Sequence, residues 1–362
     1  MKVLFIARST LFKDKGGDTV QIENTAEYLR KIGVEIDIRL CNEDIDYAEY
    51  NLLHFFNIIR PADILRHVDE SKKPFAVSTI FVDYSEYEKR ARGGIAGLFS
   101  NIFPGDAMEY AKVIARFIVN GEKIVSPAYL ALGQRGSIKK ILRRAAMVLP
   151  NSQSEYNRLV KKYGIRPPVK VIPNAIDPLL FNNSLSFTAR DPNLVICVGR
   201  IEGRKNQLNL IKALSHTRFK LVIIGSSATN QQGYYQACKA EAGNNVSFVA
   251  GVLQKDLLDY YNCARVHVLP SWFETTGLSS LEAAAMGCNI VVTRKGDTEE
   301  YFEDYAFYCE PDSPASIFAA VEKASVQEVD PALSQKIFTQ YTWAQAAEKT
   351  KAAYNEIMQR NS

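Results

Sequence analysis

Pro270-Ser271-Trp272-Phe273-Glu274-Thr275-Thr276-Gly277-Leu278-Ser279-Ser280-Leu281-Glu282-Ala283-Ala284 is the stretch from which the rest of the chain can be read. It sets two glutamates eight positions apart, with a Thr-Thr-Gly turn between them. The apolar run 266–269 before it reads as a buried strand, and 279–286 reads as a helix. Glu274 then falls on a strand-to-helix loop, and Glu282 lies along the helix that follows. The amides of Thr276, Gly277 and Leu278 stand at that helix's N-terminus, where N–H groups without intrahelical partners attract phosphate or sugar oxygens. The plain alternative is a surface loop ahead of an ordinary amphipathic helix.

Outward from this stretch, 194–198, 220–224, 246–248 and 290–292 read as further short apolar strands with helices between them. The first of these is followed by Gly199-Arg200-Ile201-Glu202-Gly203-Arg204-Lys205-Asn206. The glycine gives the turn room, and the cations can converge on one anion; a solvated βα loop is the plain alternative. The N-terminal half opens with a strand at 1–7, a loop holding Gly16-Gly17, a helical period over 19–32 and an alternating strand at 34–40. Strands at 52–56, 75–79 and 147–149 follow, and 85–145 is less regular. This β-loop-α-β opening predicts a doubly wound α/β unit. Gly16 and Gly17 allow backbone N–H groups close to a phosphate. The G-x-G-x-x-G spacing of a dinucleotide site is absent, and a plain turn reads equally well. A final amphipathic helix runs over 342–358, with Trp343 near its start.

At 362 residues the chain exceeds one ordinary core, which predicts two domains. An apolar fraction of 47% fits a folded globular protein. A net charge of +4 argues against a dedicated nucleic-acid binder. The cysteines at 41, 197, 238, 263, 288 and 309 lack metal-ligand spacing and read as small buried hydrophobes of a reducing compartment. No apolar run reaches the length of a membrane span, and 3–7 is too short for a signal-peptide core. A cytoplasmic protein is expected, with peripheral contact at the inner membrane face left open. That contact has one candidate. Ile138, Ile141, Leu142 and Ala145 share a helical face opposite Lys139, Lys140, Arg143 and Arg144. Such a helix either buries its apolar face in a core or rests on an anionic membrane. Lys89-Arg90-Ala91-Arg92-Gly93-Gly94 is a second basic run, facing an acceptor pyrophosphate or only solvent.

The Glu274–Glu282 stretch, with Pro-Ser before it and Leu-Glu-Ala at its second glutamate, resembles the donor-site signature of family 4 glycosyltransferases. That family has the GT-B fold, an α/β architecture of two Rossmann-like doubly wound domains facing across a cleft. The resemblance implies that Glu274 contacts the transferred sugar and Glu282 holds the ribose of the nucleotide. Arg200 and Lys205 match the family's diphosphate-binding cations, with Arg204 an additional one. Thr276, Gly277, Leu278 and Gly17 would complete the donor site. The run 248–253 resembles the nucleobase loop, which places Val252 there. The run 171–177 with Phe181 resembles the inter-domain element, with Ala175 where the family usually has Gly, and 149–155 resembles the end of the first domain.

The family's usual histidine after the fourth strand is missing: the segment reads Val77-Ser78-Thr79-Ile80-Phe81-Val82-Asp83-Tyr84. Asp83, Gly16 and His54 are the acceptor-side candidates, although a lone His in an apolar run is more often a hydrogen-bonded core residue. Asp44-Ile45-Asp46 has the form used by metal-dependent glycosyltransferases of the other major fold, yet it reads as a solvated acidic loop. On this resemblance residues 1–172, completed by 343–362, form the acceptor-side domain, and 173–342 the nucleotide-sugar domain. The activity implied is retaining transfer from a UDP- or GDP-sugar to a hydroxyl of a glycan or lipid-linked acceptor, in cell-surface polysaccharide synthesis, without cofactor or metal. A nucleotide-sugar binding module without transferase activity, or a GT-B epimerase or phosphorylase, are the alternatives.

Overall fold

Apolar runs of four to six residues are too short for stable helices and become buried strands when helices cover both faces of a sheet. The computed structural model describes residues 1–84, 86–87, 127–181, 190–228 and 230–361. The basic run at 89–94 lies outside them. The described residues fall into two compact units. The first comprises the described parts of Met1–Phe81, Glu88–Asn174 and Trp343–Ser362, and the second comprises Val82–Tyr87 and Ala175–Thr342. The segment Val82–Tyr87, read from sequence as part of the first domain, therefore packs with the second unit.

In the first unit, β1 (Lys2–Ala7), β2 (Glu35–Leu40), β3 (Leu52–Phe56), β4 (Phe75–Ser78) and β5 (Met147–Val148) form a parallel sheet in the order β2-β1-β3-β4-β5. All five residues of β3 are buried. The helix Trp343–Asn361 packs beside Gly17–Lys31, and Lys351 Nζ donates to Ile32 O at 2.7 Å. The buried Glu155 carboxylate accepts the N–H groups of Phe81 (2.7 Å) and Asn151 (2.8 Å) and the Thr79 hydroxyl, which fixes the chain where it leaves β4.

Pro127–Arg144 is helical on either side of a break at Gly133, where φ is 63°. Ile138, Ile141, Leu142 and Ala145 are buried in the core of the first unit, against the helix Pro61–Ser71 and β4. Lys140 and Arg144 pair with Asp69 of the neighbouring helix. Of the two readings open in the sequence, the structure has the core one: the apolar face of this helix is covered. No helix among the described residues is long and apolar enough to cross a membrane.

The second unit holds β6 (Asp191–Val198), β7 (Lys220–Ile224), β8 (Val246–Val249), β9 (Ala264–Leu269), β10 (Asn289–Thr293) and β11 (Phe307–Cys309). They form one parallel sheet in the order β11-β10-β9-β6-β7-β8. Read from the β8 edge, this is the 3-2-1-4-5-6 order of a Rossmann unit. The edge strand β11 went unread in the sequence, since three residues carry too little periodicity to register.

If Ile141 belongs to the core, Ile141→Ala should cost about 2–5 kcal/mol of stability by urea unfolding, while Lys139→Glu should stay within about 0.5 kcal/mol. An unchanged unfolding midpoint for Ile141→Ala would return that face to the solvent.

Candidate active site

After β6 the chain continues to β7 on one side, and after β9 to β10 on the other. The C-terminal ends of two adjacent strands thus feed loops that diverge, and a crevice opens between them. Loops 199–206 and 270–277 flank it. Gly199 leaves β6 at φ +154°, and Gly225 passes so near that a Cβ there would stand 2.1 Å from Gly199 O. Asn206 takes a left-handed φ of 62° and donates its side-chain amide to the carbonyls of Pro270 (3.0 Å) and Pro311 (2.6 Å). One loop is thereby bolted to the other.

Across the crevice Lys205 Nζ forms an ion pair with Glu274 Oε1, and Ser271 Oγ donates to the same oxygen at 2.7 Å. The two charged side chains are only 24% and 10% exposed. Burial opposes the charge on Lys205, but Glu274, Tyr84 and Glu202 outweigh it and hold its pKa above the ordinary lysine value. The backbone of Glu274 is clamped as well. Its N–H donates to Lys295 O at 3.0 Å, and its carbonyl accepts from Asp297 N at 2.8 Å. Gly296, at φ +106°, permits this approach, since a Cβ there would lie 1.9 Å from Glu274 O.

Gly277, at φ +74°, turns the chain into the helix Leu278–Ala285. Glu282 on that helix is buried, with Gln254 Nε2 donating to Oε1 at 2.7 Å and the Tyr261 hydroxyl to Oε2 at 2.9 Å. Burial pushes its carboxyl up to about 7, against the lowering effect of those two donors. Arg200 and Arg204 flank the buried Glu202, at 3.8 Å and 3.4 Å from its carboxylate oxygens, with side chains 44% and 41% exposed. The loops therefore present cations on one flank, a helix N-terminus on the other and buried carboxylates, a set suited to a polar, anionic ligand with hydroxyl groups.

The family model for glycosyl transferases group 1 matches residues 185–341. The chain is 25% identical over 328 residues to a D-inositol 3-phosphate glycosyltransferase of Pseudarthrobacter chlorophenolicus, covering 78% of this chain and 75% of that one. It is 24% identical over 310 residues to an N-acetylgalactosamine-N,N'-diacetylbacillosaminyl-diphospho-undecaprenol 4-alpha-N-acetylgalactosaminyltransferase of Campylobacter jejuni, covering 80% of this chain and 81% of that one. Several other relatives match over about half of their own length. Among solved structures, Anabaena HepE in complex with UDP and glucose superposes with a TM-score of 0.69 at 14% identity, covering 98% of this chain and 100% of that one. Residues 185–341 belong to glycosyl transferases group 1, on a chain with the GT-B fold.

In this glycosyltransferase, Lys205, Glu274, Thr276, Gly277, Leu278 and Glu282 stand together on the diverging loops and the helix that follows, with Arg200 on the rim. Val252 is half-buried against the second-unit core, one residue after Gly251 at φ +73°. Gly16 and Gly17 belong to the first unit. Gly16 is extended and half-buried, Gly17 is exposed, and Asp18 beside them pairs with Arg8 at 2.6 Å. Asp83 is half-buried and sits with the second unit, not with the first-unit residues among which it was sought. His54 requires a correction. It is buried in the first unit, with Nδ1 bonded to the Tyr354 hydroxyl at 2.6 Å and Nε2 to Ser78 Oγ at 2.9 Å. Burial pushes its imidazole down to about 3, so it is a neutral core residue. Asp44 pairs with Arg66 at 3.0 Å, and Asp46 accepts the Ala48 N–H at 2.9 Å.

Sequence reading missed Ser271, Gln254, Tyr261 and Gly296 as supports of the two glutamates. Ser271 lay within the quoted motif, three residues from Glu274, and was legible. Gln254 and Tyr261 reach Glu282 from 28 and 21 residues away, and no local pattern marks such a contact.

A carboxyl whose folded pKa is raised stabilises the fold fully below its unfolded value of about 4.5, and that contribution is lost as pH rises through about 7. Wild-type stability relative to Glu282→Gln should therefore fall between about pH 4.5 and 7 and level off above, by on the order of 3 kcal/mol in total. Urea unfolding of both proteins across that range measures it. A difference that stays flat would show that Glu282 is not held in a desolvated site.

Proposed function

We propose that this glycosyltransferase moves a sugar, with retention at the anomeric carbon, from a UDP- or GDP-linked donor to a hydroxyl of a glycan or lipid-linked acceptor in cell-surface polysaccharide synthesis. The observation that carries the reading is the Lys205–Glu274 pair spanning the switch point, with Glu282 buried on the helix that follows. Lys205 and Ser271 both take Glu274 Oε1. Oε2 is then the oxygen with capacity to accept a hydroxyl of the transferred sugar. Arg200 and Lys205 neutralise the diphosphate as its bond to the sugar breaks, when its charge grows. Glu282 accepts the ribose hydroxyls, and Gln254 and Tyr261 fix its orientation.

In the step proposed, the acceptor oxygen approaches the face of the sugar that the diphosphate leaves. The departing phosphate oxygen takes the acceptor proton, so no separate general base is required. The two cations supply the positive charge that a divalent ion supplies elsewhere. The UDP and glucose bound to Anabaena HepE and the diphospho-undecaprenol acceptor named for the Campylobacter relative support the donor and acceptor classes.

Transfer assays with a panel of nucleotide sugars, run in excess EDTA, together with calorimetric titration of UDP and GDP, test this reading. Glu274→Gln should lose most turnover and keep its nucleoside diphosphate affinity. Arg200→Ala, on an exposed side chain, should weaken that affinity by roughly ten- to a hundredfold, with the melting temperature unchanged. Lys205→Ala should also lower the melting temperature, because it leaves the buried Glu274 carboxylate without its cation. Full turnover by Glu274→Gln, or wild-type affinity in Arg200→Ala, would place the donor elsewhere.

A further inference from the structure

The segment Val82–Tyr87 has no part in the proposed transfer, yet Tyr84, Glu86 and Tyr87 reach both loops that flank the crevice and Lys295 behind Glu274. The Tyr84 ring lies 4.5 Å from the Arg204 guanidinium and meets Phe273 edge-on at 6.1 Å. Those two neighbours immediately adjoin Lys205 and Glu274 in the chain. The Tyr87 ring packs 6.3 Å from Trp272, whose N–H donates to Arg204 O at 3.0 Å. The Tyr87 hydroxyl stands where a side chain at position 203 would begin: a Cβ on Gly203 would lie 2.1 Å from it. Glu86 pairs with Lys295 at 3.1 Å, and the carbonyl of Lys295 accepts the Glu274 N–H at 3.0 Å.

We infer that Val82–Tyr87 is a positioning strap for the diphosphate-binding loop, in which Tyr84 sets the guanidinium of Arg204 and Tyr87 seats the turn at Gly203. The inference rests on the donor reading given above. An arginine on a mobile loop gives up side-chain freedom when it clamps an anion, and prior immobilisation reduces that cost. Here the guanidinium lies between the Glu202 carboxylate at 3.4 Å and the face of Tyr84, where the ring quadrupole attracts it. Its orientation is set before any ligand arrives. Burial raises the Tyr84 phenol above its ordinary pKa, opposed by Arg204 and Lys205 and reinforced by Glu274 and Glu202. The same four groups that define the crevice are therefore its electrostatic neighbours. Tyr84 acts through protein groups and is a positioning residue, not a catalytic one.

The test is calorimetric titration of the full chain with UDP, GDP and ADP as probes. Tyr84→Ala should weaken binding of the preferred nucleotide by roughly five- to thirtyfold. Tyr84→Leu, which keeps apolar bulk without a π face, should do the same and replaces the alanine variant if that one does not fold. Tyr84→Phe keeps the ring and should bind as wild type does, a rescue that bulk packing alone would not distinguish from leucine. Gly203→Ala should also weaken binding, and combining it with Tyr84→Ala should be no worse than the worse single change, since both release one strap. Wild-type affinity in Tyr84→Leu, failed rescue by phenylalanine, or additive losses in the double variant would each overturn the proposal. Arg200→Ala is the control that separates two failures. Loss there with none in Tyr84→Leu sinks only the strap, whereas wild-type affinity in Arg200→Ala sinks the donor reading itself.

Discussion

Two opposite charges facing each other across the gap between β6 and β9 set the terms for the rest of the second unit. The gap exists because the sheet reverses its winding direction there, so the two loops diverge and leave polar groups to meet in a confined space. Lys205 and Glu274 pay a desolvation cost that only good geometry and further hydrogen bonds can offset. The surrounding residues provide both. Asn206 ties the lysine loop to the carbonyls of Pro270 and Pro311, Ser271 adds a donor to Glu274, and Gly296 lets a neighbouring backbone clamp that glutamate on both sides. Rigid placement of a few charged groups is what a transfer reaction with a charged leaving group needs.

Charge balance in the crevice follows the same logic. Lys205 is answered by Glu274, and Arg200 and Arg204 by Glu202. None of these cations stands without a carboxylate neighbour. A diphosphate entering the crevice therefore competes with residues already present, and binding redistributes the cations between protein and ligand. Glu282 differs. Among the described residues its side chain meets the donors Gln254 and Tyr261 and no cation, and burial raises its pKa. A neutral or half-neutral carboxyl there suits sugar hydroxyls better than phosphate.

Much of this was legible in the sequence. The strands at 52–56 and 220–224 stand where the apolar runs put them, because buried parallel strands leave a near-continuous apolar signature. The Glu274–Glu282 motif located the loop and helix, because strand, turn and helix start are local features. What stayed ambiguous has a different origin. His54 was weighed as a site residue against a core one, and only its distant partners Tyr354 and Ser78 reveal it as core. The helix at 138–145 showed both a basic and an apolar face, and nothing local says which faces Asp69 and which the core. Tyr84 was passed over in favour of Asp83, because its meeting with Arg204 spans 120 positions of sequence and is fixed only by the tertiary fold.

The central claim is that the β6–β9 crevice holds a nucleoside diphosphate with its phosphates on the lysine loop. A crystal structure with UDP or GDP bound tests it most directly. The account predicts phosphate oxygens within hydrogen-bond reach of Lys205 Nζ and the Arg200 guanidinium, and ribose hydroxyls on the Glu282 carboxylate. A nucleotide bound away from loops 199–206 and 270–277, or one whose ribose leaves Glu282 with only Gln254 and Tyr261, would contradict it.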